Sequence, residues 1–442
     1  MFGLVDGNNF YVSCERVFQP RLNGRPVVVL SNNDGNVVSR SPEAKQIGIA
    51  MGAPYFEIRG LLQQQRGYAL SSNYPLYGDI SRRVMARLAD QVPAIEVYSI
   101  DEAFLDLHGL TKWLGSLDAH ARRMRRDVLA CTGIPTCVGM ATTKTLAKVA
   151  NRLAKKYPEL EGILRLDTES RRERALRALP AADVWGIGRQ YAQVLTAHGI
   201  RTAWDLAGVG ETWARKNLGG VVGWRLIQEL RGQPCQGLQP SEDGTLSRQS
   251  LRCSRSFGQP LTTFDDVWGA LSTYMAKAAE KLRTQGGQAH LLTVFICKSQ
   301  YDSRVRPPYT RSTTLTLPGG ATSDTLLLLA YGRRLLERIY ESGHSYVKAG
   351  VVLDGLEPPG RGLQLDLFAA AGSASPANDA KSKVLMQTID AVNKQFGRNS
   401  VRPASSVASG NAPPWQSKAL WRTPAYTTRL EDLLVVRVLL NK

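Results

Sequence analysis

Cysteine and histidine are scarce in this 442-residue chain: six cysteines (14, 131, 137, 235, 253 and 297) include no C-x-x-C pair, and only five histidines lie scattered beside them. A structural zinc site needs about four nitrogen and sulfur ligands at short spacing, so none is expected. Reduced, mostly buried thiols in a cytosolic protein are the expectation instead. No apolar run approaches the ~18 residues that mark a membrane span. Nothing after Met1 reads as a signal peptide either, since an aspartate stands at position 6 and polar residues follow. No internal repeat recurs at a fixed period. Acid is the last shortage: 38 Asp and Glu face 56 Lys and Arg, a net charge of +18. The excess recurs along the chain, in Arg122-Arg123-Met124-Arg125-Arg126, Arg171-Arg172-Glu173-Arg174 and Arg252 to Arg255. A basic tail does not account for that distribution, and a nucleic-acid partner does.

What is present is enough apolar residue, 43% of the chain, for roughly three or four domains of ~100–150 residues. Two acidic sites stand out. Phe2-Gly3-Leu4-Val5-Asp6 is an apolar run ending in a carboxylate, and Ser99-Ile100-Asp101-Glu102-Ala103-Phe104 interrupts the apolar stretch from Ile95 to Leu107. Strands carrying acids at their ends can hold two divalent cations about 3.5–4 Å apart, the apparatus of in-line attack on a phosphate.

The order of elements supplies a geometry for that idea. Strand 2–5 is followed by a helical insertion, with a strand at Val27–Leu30, the loop Ser31 to Asn36, and a helix start at Pro42. Residues 94–107 read as a hairpin with Asp101 and Glu102 at its turn. Leu114, Leu117, Ala121, Met124 and Val128 step by 3 and 4, an amphipathic helix. Thr136 to Met140 is a strand. This is a ferredoxin-like β-α-β-β-α-β layout, in which the first and third strands are antiparallel neighbours, so Asp6 falls beside Asp101 and Glu102.

A helix from Thr142 to Lys156 follows, with Leu146, Val149, Ala150 and Leu153 on one face and Lys144, Lys148, Arg152 and Lys155 on the other. The cationic face carries no acid, and its i,i+4 neighbours repel; a stripe facing phosphate explains it better than a solvated face. Beyond residue 164 the chain reads as helical and arginine-rich. Val184-Trp185-Gly186-Ile187-Gly188-Arg189 is an h-x-G-x-G turn of the helix-hairpin-helix kind, whose glycines let backbone N–H groups approach a DNA phosphate, although G-x-G turns also end ordinary helices. Residues 232–244 read as a linker. A small α+β domain follows, with strands at Leu251–Phe257, Leu291–Lys298, Thr313–Leu317 and Tyr346–Leu353 and helices at Val267–Arg283 and Thr325–Ser342. Last come Gln364-Leu365-Asp366-Leu367-Phe368, a low-complexity stretch to Asn378, a short helix (Val384 to Phe396) and a Ser/Pro/Asn-rich run with Trp415 and Trp421. The apolar end, Leu433 to Lys442, has no assigned role.

Taken together, Val5-Asp6-Gly7-Asn8-Asn9-Phe10-Tyr11, Ser99-Ile100-Asp101-Glu102-Ala103-Phe104 and Thr143-Lys144-Thr145-Leu146-Ala147-Lys148 resemble the Y-family translesion DNA polymerases. More narrowly, Leu30-Ser31-Asn32-Asn33-Asp34-Gly35, Val184 to Arg189, Cys253-Ser254-Arg255-Ser256-Phe257-Gly258 and Tyr426-Thr427-Thr428-Arg429 resemble the UmuC-type catalytic subunit of DNA polymerase V. The match runs in order from residue 2 to about 433.

The resemblance implies an α+β, right-handed polymerase: a ferredoxin-like palm (1–10 and 73–163), small fingers (11–72), a thumb with the helix-hairpin-helix (164–233), an α+β little finger (243–355) and a C-terminal clamp- and partner-binding region (356–442). It implies error-prone, template-directed synthesis in the SOS response to DNA damage. It implies two Mg²⁺ ions on Asp6, the carbonyl of Gly7, Asp101 and Glu102. Tyr11, on pattern alone a core aromatic, matches the steric gate that rejects a 2′-OH. Lys45 and Lys155 match basic residues on the incoming triphosphate. The chain departs from the family at Pro42, where a phosphate-contacting tyrosine often stands; Arg40 is the nearest substitute donor. Gly186, Gly188, Arg189, Arg252 and Arg255 are the expected DNA contacts. Gln364, Leu365, Leu367 and Phe368 resemble the Q-L-x-L-F peptide that docks on the sliding clamp, though their alternation fits an ordinary strand too. Primer-template DNA, dNTPs, a UmuD-type accessory subunit and the RecA filament complete the expected partners, with no membrane.

The competing reading is a catalytically silent DNA-binding or recombinase-modulating paralogue, against which the intact Asp6, Asp101 and Glu102 speak. A cyclase or nuclease on a similar palm leaves the helix-hairpin-helix and the clamp-like peptide unexplained.

Overall fold

A computed structural model describes residues 1–110, 115–239, 249–299, 307, 309–358, 376–397, 399–407 and 413–433, with the backbone alone for 376–380. The chain divides into two compact units, Met1–Ser31 with Gly35–Ser241 and Trp421–Lys442, and Asn32–Asp34 with Glu242–Leu420. Among the described residues no helix is long and apolar enough to cross a membrane.

The first unit contains, in chain order, strands β1 (Phe2–Gly7), β2 (Val27–Leu30), β3 (Val37–Arg40), β4 (Tyr68–Ser71), β5 (Ile95–Val97), β6 (Glu102–Asp106), β7 (Thr136–Ala141) and β8 (Ile163–Leu166). Five of them form one sheet in the order β5-β6-β1-β7-β8, and three form a second, β3-β2-β4. Both neighbours of β1 run antiparallel to it, as the ferredoxin-like reading requires, and β8 adds a parallel edge to β7. Helices cover both faces of the five-stranded sheet, which is why β1 and β7 are nearly continuous apolar runs. Successive residues of β1 feed opposite cores. Val5 joins Ala103, Leu105 and Val138 under the helices Phe10–Phe18, Tyr74–Ala89 and Leu117–Thr132, whereas Leu4 and Phe104 join Leu146, Val149 and Leu153.

The second of those faces is covered by the helix Lys144–Lys156, capped by the Thr143 hydroxyl on the Leu146 N–H. It lies flush on β7 because position 139 is glycine: a methyl group there would overlap the Asn151 backbone nitrogen and the Ala147 carbonyl oxygen. The Asn151 amide then donates to the Leu4 and Cys137 carbonyl oxygens at 3.1 and 2.8 Å, stapling the helix to β1 and β7. Helices Pro42–Gln46 and Tyr55–Gln64 accompany the three-stranded sheet, and Glu169–Ala178, Arg189–Ala197, Ala203–Ala207, Glu211–Asn217 and Val221–Leu230 follow β8.

The second unit has strands β9 (Ser250–Leu261), β10 (Gln288–Lys298), β11 (Thr310–Thr316) and β12 (Tyr346–Glu357) in the order β11-β10-β12-β9. Helices Phe264–Thr284 and Thr325–Ile339 pack their apolar sides on its core. The strands outrun the stretches the sequence suggests through additions that are largely polar, among them Ser250, Gln288, Thr310 to Ser312 and Glu357.

The C-terminal region, expected as a clamp- and partner-binding region, packs at several points against the rest of the chain. Its helix is Pro376–Phe396, starting earlier than Val384, and Asp390 on it takes a bidentate pair from Arg283, both bonds 2.7 Å. Trp415 is buried in the core of the second unit over Gly269. Residues 421–426 pack within the first unit, where Tyr426 stacks on Phe18 at 4.7 Å between ring centroids.

Candidate active site

Asp6 and Glu102 are direct cross-strand partners on β1 and β6, and the Gly7 N–H donates to the Asp101 carbonyl oxygen at 2.8 Å. The register therefore gathers all three acids at one end of the sheet. Glu102 opens β6 instead of lying within the turn, because Ser99 closes the turn just before it. The Ser99 hydroxyl donates to an Asp101 carboxylate oxygen at 2.6 Å and accepts from the Glu102 N–H at 3.0 Å, a side-chain staple of the kind that small hydroxyl residues supply in turns.

Strand alternation sends Asp6 and Glu102 to the same face as Leu4 and Phe104, beneath the helix Lys144–Lys156. Each of the four cations of the stripe meets an acid from elsewhere in the chain. Lys155 lies 2.5 Å from Asp6, Lys148 2.9 Å from Glu102 and Arg152 2.7 Å from Asp183, while Lys144 pairs with Glu96. The like-charge repulsion inferred from the sequence is thus offset across the fold. Asp6, Glu102, Lys148, Arg152, Lys155 and Trp185 line one recess.

The charge balance there is unusual. Burial pushes the Asp6 carboxyl up to about 7 against the opposing pull of Lys155, and the neighbouring Glu102 and Asp101 carboxylates add to the rise. A carboxylate that close to neutrality at physiological pH lacks enough positive charge around it. Lys148 sits in an aromatic box, 4.4 Å from the Tyr98 ring centroid and 5.1 Å from that of Trp185, with the Trp185 indole N–H on the Tyr98 hydroxyl at 3.2 Å. Among the described residues no group of three His, Cys, Asp or Glu side chains is arranged to grip a metal ion; the lysines stand where the carboxylates need cations.

Tyr11, on the first turn of Phe10–Phe18, stacks on Tyr77 at 4.6 Å and 14° and meets Tyr74 edge-on at 6.1 Å. Burial, with Tyr74 and Asp101 nearby, pushes its phenol up to about 12, so it stays neutral. Lys45 reaches the Asn9 side-chain oxygen at 2.5 Å. Its ammonium is held below the usual lysine range by burial and then by the nearby charges of Arg40 and Lys155. Lys45 thus has Arg40, Lys155 and Asp6 as charged neighbours, although Arg40 also donates to the Ile49 carbonyl oxygen.

Gly186 adopts a left-handed φ of +93° and Gly188 precedes the helix Arg189–Ala197, which leaves Arg189 exposed on its first turn. The expected helix-hairpin-helix has only the short turn Ala181–Asp183 on its upstream side. Arg252 and Arg255 both lie on β9, but strand alternation puts them on opposite faces, with Arg252 over the Phe295 ring at 4.5 Å. Gln364, Leu365, Leu367 and Phe368 lie outside the described residues, as do residues 434–442 of the apolar end. The aromatic box around Lys148, the buried Glu15 and the contacts of Thr423 went unread in the sequence. Tyr74 and Tyr77, one helical turn apart, were a signal; nothing local marks Thr423.

Three family models match the chain. The impB/mucB/samB family covers residues 5–152, its C-terminal domain residues 248–367, and a domain of unknown function residues 383–436. Protein UmuC of Salmonella typhimurium strain LT2 is 41% identical over 99% of this chain and 100% of its own length. Protein SamB of Salmonella typhimurium is 40% identical over 98% of this chain and 99% of its own. DNA polymerase IV of Desulfatibacillum aliphaticivorans is 27% identical over 91% and 96%. Among solved structures, a Y-family DNA polymerase chimera of Dbh and Dpo4 shares the fold with a TM-score of 0.65 at 23% identity, over 81% of this chain and 100% of that one. An insertion ternary complex of Dbh DNA polymerase gives 0.55 at 21%, over 80% and 98%.

Proposed function

This chain belongs to the impB/mucB/samB family and is a UmuC-type, Y-family DNA polymerase of SOS-associated translesion synthesis, and on that footing we propose that Asp6, Asp101 and Glu102 are its catalytic carboxylates. The observation that carries the assignment is the register of β1 against β6, which pairs Asp6 with Glu102 and bonds Gly7 to Asp101. The five-stranded sheet is read as the palm, β3-β2-β4 with its helices as the fingers, the helices from Glu169 to Leu230 as the thumb, and the sheet of the second unit as the little finger.

The donor set suits magnesium, a hard cation that takes oxygen ligands: three carboxylates and the Gly7 carbonyl, with Asp6 short of compensating charge. When bound, two Mg²⁺ would lower the pKa of the primer 3′-OH and neutralise the triphosphate. The chain's own residues do the rest. A bond forms from the 3′-oxygen to the α-phosphorus as the bond to the bridging oxygen breaks and pyrophosphate leaves. Lys45 and Lys155, with Arg40 beside them, receive the triphosphate, Lys155 exchanging Asp6 for a phosphate oxygen. Lys148 holds Glu102 in place from its aromatic box. Tyr11, backed by Tyr77, closes the space a 2′-OH would need. Gly186, Gly188 and Arg189 meet duplex phosphates from the first unit, and Arg252 and Arg255 are the DNA contacts proposed on the second.

Partners follow from the same reading: primer-template DNA and dNTPs, a UmuD-type accessory subunit, the RecA filament, and the sliding clamp through residues 364–368. Magnesium-dependent primer extension on an abasic template tests the core of it. Asp101→Ala should lower the rate by at least about 10²-fold. Extension by Asp101→Ala equal to the parent's would overturn the catalytic assignment, and no extension by the parent itself would leave the silent paralogue as the better reading.

A further inference from the structure

Beneath the Tyr11–Tyr77 stack lies a carboxylate that the polymerase reading does not use. Glu15 is fully buried and sits one turn after Tyr11 on the same helix. It is held by side-chain hydrogen bonds instead of a cation: the Tyr77 hydroxyl donates to it at 2.7 Å and the Thr423 hydroxyl to the same oxygen at 3.1 Å. Thr423 comes from the far end of the chain, within the match to a domain of unknown function.

The segment around Thr423 is fastened where the Tyr74–Ala89 helix begins. Asn73 precedes that helix, a position where Asn ordinarily caps the free N–H groups. Here it makes no cap. Its amide donates instead to the Thr423 carbonyl at 3.0 Å, the Thr423 hydroxyl at 2.9 Å and the Pro424 carbonyl at 3.0 Å. The amide is thus committed to the segment and not to the start of the helix. On either side, the Trp421 N–H donates to the Ser71 hydroxyl at 3.0 Å, Trp421 meets Tyr55 at 5.0 Å, and Tyr426 stacks on Phe18. The first two turns of the anchored helix carry Tyr74 and Tyr77, the two rings that touch Tyr11.

We propose that the segment Trp421–Tyr426 is part of the sugar-selecting apparatus: through Thr423, Glu15 and Asn73 it fixes Tyr77, and Tyr77 fixes the ring of Tyr11 under the incoming sugar. Thr423, Glu15, Asn73 and Tyr77 are positioning residues, since none reaches the nucleotide. The inference rests on the reading of Tyr11 as the gate, and its test separates the two. Removing the Thr423 hydroxyl leaves the carboxylate one donor short and lets the Tyr77 ring shift, so the gate loosens without losing its aromatic surface.

The experiment measures kcat/KM for a ribonucleotide and for the matching deoxynucleotide, with the full chain and its accessory subunit. Thr423→Val, which loses the hydrogen bonds to Glu15 and from Asn73, should raise the ribo-to-deoxy ratio about 3–10-fold, and Thr423→Ser should restore it. A change that merely softened the fold would lower both rates together and leave the ratio alone. Tyr11→Ala is the control and should raise the ratio about 10–200-fold, the range for a pocket discriminating by shape. An unchanged ratio in Thr423→Val beside a raised one in Tyr11→Ala overturns the inference; an unchanged ratio in Tyr11→Ala overturns the gate itself. Should Thr423→Val fold poorly, Tyr77→Phe carries the same test, because it keeps the stack and removes the hydroxyl: a raised ratio supports the inference and an unchanged one overturns it.

Discussion

Glu15 shows how far one side chain can depart from what its neighbours in sequence suggest. In Phe10–Phe18 it stands between Cys14 and Arg16 in sequence, yet it is buried among Tyr77, Thr423 and Gln19. Burial lifts its carboxyl above the ordinary glutamate range, against the pull of those hydrogen bonds. The folded chain therefore holds that proton more tightly than the unfolded chain does. The stabilising contribution is full below the unfolded pKa, near ~4.3, and is lost as pH rises through the lifted value. Glu15→Gln keeps an acceptor for both hydroxyls and cannot ionise. Thermal melts of variant and parent should thus diverge in the variant's favour as pH rises from the ordinary glutamate range through neutrality. A difference that stays flat across that interval would mean Glu15 is neutral throughout, or not buried. Asp6, by contrast, was legible: an acid ending an apolar strand, opposite a second acid in a hairpin, is a pattern the sheet register can only satisfy by contact.

The helix Lys144–Lys156 shows where legibility at the scale of an element stopped. Its apolar face and its boundaries to within two residues followed from periodicity. The destination of its cations did not. An i,i+4 argument weighs a charge only against its own helix, and the partners Glu96, Glu102, Asp6 and Asp183 come from three strands and a turn that meet the stripe only in the fold. Gly139 sets that meeting. Gly139→Ala should push the helix away from β7 and destabilise the first unit by about 1–3 kcal/mol, the usual cost of overpacking. Because Lys148 and Lys155 move with the helix, primer extension measured well below the variant's Tm should fall further than stability explains. Activity that merely tracked the folded fraction would detach the glycine from the site. The strands of the second unit were placed correctly and drawn too short, since periodicity fades where a ladder ends in polar residues.

At the scale of the whole chain, composition foretold a basic molecule but misjudged its last sixty or so residues. A Ser/Pro/Asn-rich run reads as a tail, yet Arg283–Asp390 and the buried Trp415 fasten part of it to the second unit, and Thr423 and Tyr426 fasten part to the first. Two aromatic residues in a polar run were the available signal, because so large an apolar surface is seldom left in water. The consequence bears on the clamp proposal. Truncation at Gly362, the obvious way to remove residues 364–368, would also take Trp415 from a core, where loss of such a side chain costs about 3–5 kcal/mol, and Thr423 from Glu15. A loss of clamp stimulation after truncation would then say nothing about the peptide. The double substitution Leu367→Ala with Phe368→Ala removes the two apolar anchors that an extended peptide needs in a groove and leaves the fastened segment whole. Its melting temperature and its extension of a primer on bare template should match the parent's, while stimulation by the sliding clamp falls at least about tenfold, the ~1.4 kcal/mol that a lost apolar anchor readily exceeds. Undiminished stimulation would assign residues 364–368 to structure and move the clamp contact elsewhere on the chain.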